Sequence, residues 1–298
     1  MTGGRVLVIA AANALVFVQP QTPAFRATAD TVRVDVAVLD RGRPVTGLAA
    51  GDFVLLDNGT PQEIADFSRE QLPIDLTIAL DISASVRGEV LEQLRRSVQQ
   101  LRADLHTNDR LKLLTFNMRI KRILDFDAPA SATEAALTGI RAFGSTALLD
   151  TIAVSLATPA VAGRRQLVVL FSDGEDSNSV TDQDGLFDVV RRTTPTLDLV
   201  LASARLISGA ITTPAAPAVV ARTQFLTALS RESGGTVESV DAGENLSARF
   251  RRLLADFRAS YVMHFEPRGV ERSGVHTIDV SVKRPGLTVR ARRAYSWR

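Results

Sequence analysis

The sequence contains no cysteine and only three histidines. The absence of cysteine among 298 residues excludes disulfide bonds, thiolate metal sites and cysteine nucleophiles. His106, His264 and His276 are too few for a histidine-rich zinc site. The motifs G-x-x-x-x-G-K-[ST], G-x-G-x-x-G and G-x-S-x-G are also absent. The sequence therefore shows no P-loop, no dinucleotide fingerprint and no α/β-hydrolase nucleophile.

Neither sign of charge is in large excess. The 35 basic and 33 acidic residues leave a net charge of +2. This balance gives no electrostatic reason to expect a nucleic acid as partner. With 45% hydrophobic and 23% charged residues, the composition is that of a folded globular protein. It excludes a disordered chain and a membrane protein with many spans.

A short apolar segment lies near the N-terminus. Residues 6–18 are apolar except for one asparagine, and the run is shorter than the roughly 20 residues that span a bilayer. Arg5 before it, polar residues 19–21 after it and an A-x-A-like site at 27–29 are typical of a secretory signal. We predict a signal peptide over approximately residues 1–29 and no transmembrane segment in the mature chain. The expected location is the periplasm, the cell envelope or the exterior; a buried strand or an uncleaved anchor is the alternative.

Alternating apolar residues predict β-structure on both sides of a longer central segment. The predicted strands cover residues 32–38, 53–56, 64–67, 278–282 and 287–291. Pro285-Gly286 predicts a turn between the last two strands. Two or three strands alone bury too little surface to be stable. We therefore predict that residues 30–71 and 259–298 together form one small β-sandwich. Its candidate core is Phe53, Phe67, Tyr261, Ile278 and Val280.

The central segment, residues 72–258, alternates apolar strands with amphipathic helices. Residues 74–80 and 166–171 are apolar-rich runs, as expected for strands covered on both faces. Apolar residues recur at helical spacing from Val90 to Leu105. The predicted fold class is α/β, with a doubly wound, mostly parallel sheet inserted in the β-sandwich. We also predict a strand over residues 197–207 followed by a surface loop over 208–220.

Oxygen-bearing side chains follow the apolar strands. Asp81, Ser83 and Ser85 come directly after the first apolar strand, and Asp173 follows the second. Thr146 precedes a predicted helix. In a parallel sheet, ligand sites lie at the carboxyl ends of the strands. Hydroxyl and carboxylate oxygens suit Mg²⁺, although helix capping alone explains each short motif taken singly.

Taken together, these motifs resemble the von Willebrand factor type A domain family. Its metal-ion-dependent adhesion site has the pattern D-x-S-x-S, then a threonine, then an aspartate, which here fall on Asp81, Ser83, Ser85, Thr146 and Asp173. The resemblance covers roughly residues 72–258. The flanks are similar to those of a group of bacterial exported proteins that carry this domain. The flank motifs fall on residues 42–48, 52–53, 57–59, 261, 276–278 and 285–286.

The resemblance implies a binding function. Ser83, Ser85 and Thr146 are expected to contact Mg²⁺ or Mn²⁺, while Asp81 and Asp173 act mainly through bound waters. An open coordination position then accepts a carboxylate from an unknown partner protein. We expect Asp150 to serve in helix packing or capping. We expect no enzymatic activity. The alternatives are a Mg²⁺-dependent phosphatase-like hydrolase with Asp81 as nucleophile, and a purely structural metal site in an envelope scaffold protein.

Overall fold

The computed structural model describes residues 31–69, 72–203, 206, 217–242 and 244–297. The predicted signal peptide lies outside the described residues. The strands are β1 (Val32–Asp40), β2 (Arg43–Pro44), β3 (Phe53–Asp57), β4 (Thr60–Pro61), β5 (Asp66–Ser68), β6 (Ile74–Asp81), β7 (Arg110–Phe116), β8 (Ile120–Leu124), β9 (Arg165–Ser172), β10 (Thr196–Ala202), β11 (Val237–Val240), β12 (Tyr261–Phe265), β13 (Gly274–Val282), β14 (Thr288–Ala291) and β15 (Ala294–Trp297). The helices are α1 (Glu89–Ala103), α2 (Ala132–Thr138), α3 (Leu148–Leu156), α4 (Gln183–Arg192), α5 (Pro217–Glu232) and α6 (Leu246–Ala259).

A six-stranded sheet of order β11-β10-β9-β6-β7-β8 forms the centre of the α/β unit. All neighbouring strands are parallel except β7 and β8, which form an antiparallel hairpin. Every residue of β6 and β9 is buried because helices cover both faces. Apolar side chains of α1 and α6 pack on one face, and those of α3, α4 and α5 pack on the other. The predicted doubly wound, mostly parallel fold is confirmed.

Two antiparallel sheets join the chain before the α/β unit to the chain after it. One sheet has the order β14-β1-β12-β5, with β2 paired to β1; the other has the order β15-β13-β3-β4. Strand β1 pairs with β12 and β14, and β3 pairs with β13. Phe53, Tyr261, Ile278 and Val280 are buried between the sheets, and Phe67 packs against them. The second part of the predicted fold class, an α/β unit inserted in a sandwich, is therefore also confirmed.

Two local predictions differ from the structure, and the predicted turn at Pro285-Gly286 is present but does not join paired strands. The strands on either side of Pro285-Gly286 do not form a hairpin, because β13 pairs with β3 and β15 whereas β14 pairs with β1. Strand β10 ends at Ala202 rather than at residue 207. The predicted loop over 208–220 overlaps α5, which begins at Pro217; residues 208–216 lie outside the described part of the chain.

Arginine side chains join the sandwich to the edge of the central sheet where β9 begins. Arg165 is 1% exposed, and its Nε donates to Asp35 Oδ1 of β1 at 2.7 Å. The Nη2 atom of Arg165 donates to Ser260 Oγ at 2.5 Å. From the sandwich side, Arg33 Nη1 donates to the Arg164 carbonyl oxygen at 2.7 Å. These charged contacts fix the position of β1 on the α/β unit.

Asp198, in β10, gives a prediction for the pH dependence of stability. Its side chain is 5% exposed, and Oδ1 accepts from Thr236 N at 2.9 Å. Burial raises the pKa of Asp198 to about 7, against an opposing effect of the hydrogen bond from Thr236. The folded state therefore binds this proton more tightly than the unfolded state, and the contribution of Asp198 to stability falls as the pH rises from about 4 to about 7.

We expect Asp198→Asn, which keeps an acceptor for Thr236 N, to raise the free energy of unfolding by on the order of 2 kcal/mol at pH 8. The same substitution should have a clearly smaller effect, about 1 kcal/mol or less, at pH 4.5. Urea unfolding of wild type and variant at both pH values measures the difference, so that other titrating groups cancel. An equal effect at the two pH values would contradict the assignment.

Candidate metal site

The candidate ligands meet at the carboxyl ends of the parallel strands. Asp81 ends β6, Asp173 follows β9, and Thr146 precedes α3. Asp81, Ser83 and Thr146 are buried, whereas Ser85 and Asp173 are half-buried and reach the surface. The structure therefore brings the five predicted residues to one end of the sheet, as a shallow site with a buried floor.

Asp81 forms the floor of the site. Its Oδ1 accepts from Ser83 N at 2.8 Å, and its Oδ2 accepts from Ser172 Oγ at 2.7 Å. Burial is the main reason that the pKa of Asp81 rises to about 6; hydrogen bonds from Ser83 and Ser172 oppose the rise, and the negative charge of Asp173 adds to it. Within the described residues, neither carboxylate lies within 4.0 Å of an arginine, lysine or histidine nitrogen. The nearby Arg222 is paired with Glu175 instead.

Backbone hydrogen bonds hold the loop that carries the two serines. Ile82 N donates to the Phe116 carbonyl at 2.8 Å, and Ala84 N donates to the Gly144 carbonyl at 2.9 Å. The Oγ atoms of Ser83 and Ser85 lie 3.0 Å apart. The two hydroxyl groups are therefore close enough to bind the same cation.

A second loop fixes Thr146. Its backbone N donates to Ser177 Oγ at 3.2 Å, and Ser177 N donates back to the Thr146 carbonyl at 2.9 Å. Asp176 Oδ1 accepts from the N atoms of Leu148 and Leu149 and so caps the N-terminus of α3. Asp176 therefore links the loop after β9 to the helix after Thr146.

Asp150 has a similar role on the same loop. Its carboxylate accepts from Val180 N at 3.1 Å and from Thr181 N at 2.8 Å. It belongs to α3, yet it bonds to the loop after β9 rather than to its own helix. The Asp150 carboxylate therefore binds backbone N–H groups of this loop and not the candidate ligands.

Gly144 occupies a position that requires glycine. Its φ is +81°, and a Cβ atom there would lie 2.6 Å from Met118 Cε. The next residue, Ser145, does not have a positive φ. Of the two residues before Thr146, only Gly144 therefore needs the conformational freedom of glycine.

The donor set fits a hard divalent cation. It combines two carboxylates with three hydroxyls, and oxygen ligands of this kind suit Mg²⁺ or Mn²⁺ rather than a soft metal. Among the described residues, no group of three or more His, Cys, Asp and Glu side chains is placed to hold a metal ion. A carboxylate-rich cage is thus not present in that part of the chain, and the hydroxyls would have to supply much of the coordination.

The three histidines lie away from this end of the sheet. His106 follows α1, and its Nδ1 lies 3.0 Å from Arg258 Nη1. His264 lies in β12, and His276 in β13 is fully buried, with Nδ1 2.9 Å from Asp57 Oδ1. No described histidine is therefore placed to act as a base for the serines at the site.

Two residues of the site were not singled out by sequence reasoning. Ser172 donates to Asp81, and Ser177 binds the Thr146 backbone. Ser172 is the residue directly before Asp173, so its position at a strand end was a usable signal. Ser177 lies in a loop, and its partner is distant in sequence, so no local pattern indicates it.

The comparisons with known proteins agree with the family resemblance. The family model of the von Willebrand factor type A domain matches residues 76–175. This segment contains all five candidate ligands, and the predicted resemblance is confirmed over it. No curated protein matches the chain.

Solved structures with a similar fold come from several organisms. BatB from Bacteroides thetaiotaomicron is 16% identical and covers 62% of this chain and 98% of its own, with a TM-score of 0.48. A von Willebrand factor type A protein from Catenulispora acidiphila is 12% identical and covers 92% and 74%, with a TM-score of 0.48. Proximal thread matrix protein 1 from the mussel byssus, with a zinc-occupied metal-ion-dependent adhesion site, is 12% identical and covers 67% and 48%, with a TM-score of 0.49.

Proposed function

We propose that the chain is an exported protein-binding module of the adhesion type. Its divalent cation, Mg²⁺ or Mn²⁺, would be held by Asp81, Ser83, Ser85, Thr146 and Asp173. When bound, the cation supplies a positive charge and a coordination position for a carboxylate of a partner protein. The observation that carries this proposal is the site's own imbalance: two carboxylates and three hydroxyls converge where the described residues offer no cationic partner.

The charges of the site leave room for an anionic ligand. Two carboxylates balance the charge of one divalent cation, and the three hydroxyls add no further negative charge. The hydrogen bonds from Ser83 and Ser172 also hold part of the Asp81 charge away from the cation. A carboxylate from a partner would therefore meet a cation that is not over-neutralised by the chain.

Exposed apolar side chains lie on loops at the same end of the sheet as the site. Met118 is 41% exposed, Phe143 is 56% exposed and Val180 is 92% exposed. They lie on loops that neighbour the segments of the candidate ligands: Asn117 Nδ2 donates to the Phe143 carbonyl at 3.0 Å, and Val180 N donates to Asp150 in the helix after Thr146. Methionine and aromatic side chains are enriched in protein interfaces. These residues support a protein, rather than a free ion, as the ligand.

A hydrolase with Asp81 as nucleophile is not favoured. Both carboxylate oxygens of Asp81 accept hydrogen bonds, and the side chain has no exposed surface. A nucleophile needs an oxygen that can approach the reacting atom. Magnesium-dependent release of nitrophenol from p-nitrophenyl phosphate, lost in Asp81→Asn, would support the hydrolase instead.

The proposed location is outside the cytoplasm, on the basis of the predicted signal peptide. No helix in the described part of the chain is long and apolar enough to cross a membrane. Secretion of a full-length fusion to a reporter that is active only after export, compared with the same fusion without residues 1–29, tests this location.

Partner capture tests the binding function. Immobilised protein would be incubated with an envelope extract of the native source in Mg²⁺, in EDTA, and in EDTA followed by excess Mn²⁺. We expect one partner that is retained in Mg²⁺, lost in EDTA and recovered in Mn²⁺. Thr146→Ala should weaken the capture by about tenfold or more, because it removes one of the three hydroxyl groups proposed to bind the cation. The matched control is Thr138→Ala, which removes an exposed hydroxyl on α2.

The identified partner then allows the decisive step. Changing its contacting Asp or Glu to the amide should weaken binding to the wild type in Mg²⁺ and leave the residual binding in EDTA unchanged. Retention that is equal in Mg²⁺ and in EDTA would show that the cation has no role in binding, and would favour a purely structural metal site.

A further inference from the structure

A cavity of about 630 Å³ lies between the α/β unit and the sandwich. Its walls are the start of β1, the chain after α3, the chain after α4 and strand β15. The chain after α3 leads into β9, and the chain after α4 leads into β10. The cavity therefore lies at the amino-terminal ends of these strands, at the end of the central sheet opposite Asp81. Its volume is within the range of about 300–1,000 Å³ that is usual for small-molecule sites.

Four arginines line this cavity, and none of its lining residues is acidic. The arginines are Arg33, Arg191, Arg192 and Arg292. Arg191 Nε donates to Glu232 Oε1 at 2.7 Å, so its charge is balanced from within the chain. Arg33 and Arg292 differ from Arg191, because neither has a carboxylate to itself among the described residues.

Arg292 is 6% exposed and has only neutral acceptors. Its Nη1 donates to the Val190 carbonyl at 3.0 Å, and its Nη2 donates to the Pro195 carbonyl at 3.4 Å. No carboxylate lies within 4.0 Å of it in the described part of the chain. Burial lowers the pKa of Arg292 to about 10; Asp35 opposes this shift, and the positive charge of Arg33 adds to it.

Arg33 is only partly paired. Its Nε lies 3.5 Å from Asp35 Oδ2, but Asp35 already accepts a 2.7 Å hydrogen bond from Arg165. The Nη2 atom of Arg33 is buried and has no hydrogen-bond partner among the described residues. Two carboxylates, those of Asp35 and Glu232, therefore face four guanidinium groups, which leaves an excess of two positive charges beside the cavity; the four groups belong to Arg33, Arg165, Arg191 and Arg292.

Such an excess is unfavourable unless a counterion is present. A buried guanidinium without a carboxylate loses hydration that carbonyl oxygens replace only in part. The exposed arginines elsewhere on the chain lose little hydration, so the same argument does not apply to them. Both Arg33 and Arg292 line the cavity, so a small anion inside it can reach them.

We propose that this cavity binds a small organic dianion, a phosphate monoester or a dicarboxylate, whose charged group pairs with Arg33 and Arg292 and whose apolar body lies against Tyr295 and Trp297. The planar guanidinium group matches the oxygens of both phosphate and carboxylate. Tyr295 and the half-buried Trp297 supply the apolar wall. Because the walls come from both units, a bound dianion also ties the sandwich to the α/β unit.

Calorimetry and thermal unfolding of the full chain test the proposal. The probes are phenyl phosphate and phthalate, with benzyl alcohol as the neutral analogue and inorganic phosphate as the anion without a body. We expect at least one aromatic dianion to bind and to raise the Tm, while benzyl alcohol does neither. The stronger of the two dianions identifies the charged group of the ligand class.

Substitutions locate the binding. Arg33→Met keeps the apolar stem and should weaken dianion binding by about tenfold or more. Trp297→Ala should weaken phenyl phosphate but leave inorganic phosphate unchanged. The matched control is Arg110→Met, which breaks the Arg110–Asp75 pair at the same sheet edge but lies outside the cavity; its affinity should equal that of the wild type.

Three results would overturn the proposal. The first is no binding of either dianion to the wild type at millimolar concentration. The second is equal stabilisation by the dianions and by benzyl alcohol. The third is an equal loss of affinity in Arg33→Met and Arg110→Met. If Arg33→Met does not fold, the wild-type comparison and Trp297→Ala still decide the question.

Discussion

Asp81→Ala is expected to abolish the binding of Mg²⁺ and Mn²⁺. Asp81 is the one buried carboxylate among the candidate ligands, and its two oxygens accept hydrogen bonds from Ser83 and Ser172. Its removal deletes one of two negative charges and frees the serine loop at the same time. Isothermal titration calorimetry with each metal, supported by electron paramagnetic resonance of Mn²⁺, measures the loss.

Two further variants separate a lost ligand from a damaged fold. Asp81→Asn keeps the shape of the side chain but removes the charge, so it should also lose metal affinity. In EDTA its Tm should be no lower than that of the wild type, because a buried carboxylate without a cation destabilises the folded state. Glu175→Gln is the charge-matched control, since Glu175 is exposed and pairs with Arg222. Unchanged metal affinity in both Asp81 variants would refute the site.

Asp35→Ala is expected to lower the free energy of unfolding by about 3–5 kcal/mol. The substitution leaves Arg165 buried in the interface between sandwich and α/β unit without its carboxylate. Burial alone would raise the pKa of Asp35, but Arg165 and Arg33 beside it hold the pKa below its usual value. This carboxylate therefore stabilises the folded state above its unfolded pKa, and the contribution is lost as the pH falls through its folded pKa.

An exposed ion pair provides the comparison for Asp35. Asp104→Ala removes the partner of Arg251 on the surface, and this pair should contribute only about 0–1 kcal/mol. Urea unfolding at neutral pH compares the two variants. Similar small losses in both would mean that the Arg165–Asp35 contact does not hold the two units together.

Burial on both faces explains why the central sheet was predictable. Strands such as β6 and β9 must be apolar along their whole length, and this requirement leaves a direct trace in the sequence. The sequence at the start of α5, in contrast, was misleading. Its first residues are rich in alanine and proline, which favours a loop, yet proline is well tolerated at the first position of a helix.

The pairing of the strands was less predictable than their positions in the sequence. Pro285-Gly286 does mark a change of direction, but a turn does not determine which strand each side pairs with. Strand β13 obtains its partners from β3 and β15, and β14 obtains its partner from β1, through the packing of two sheets around a shared core. Those choices depend on distant residues.

The candidate ligands themselves were predictable because their spacing is carried by the motif. The supporting contacts were not. Asp176 caps a helix that begins far earlier in the chain, and Ser177 binds the backbone of Thr146. Neither contact has a local signature, since each joins two loops that meet only in the folded protein.

The pairing of β1 with β12 has a consequence for the order of folding. The register places Val32 opposite Phe265, so nearly the whole described chain lies between the two partners. During synthesis β1 appears first, yet its hydrogen-bonding edge stays open until the last strands are made. Pairing at such long range is slow, because the loop between the strands must close before any contact forms. The α/β unit shortens that search when it folds first, since its compact form brings the two ends of the intervening chain together.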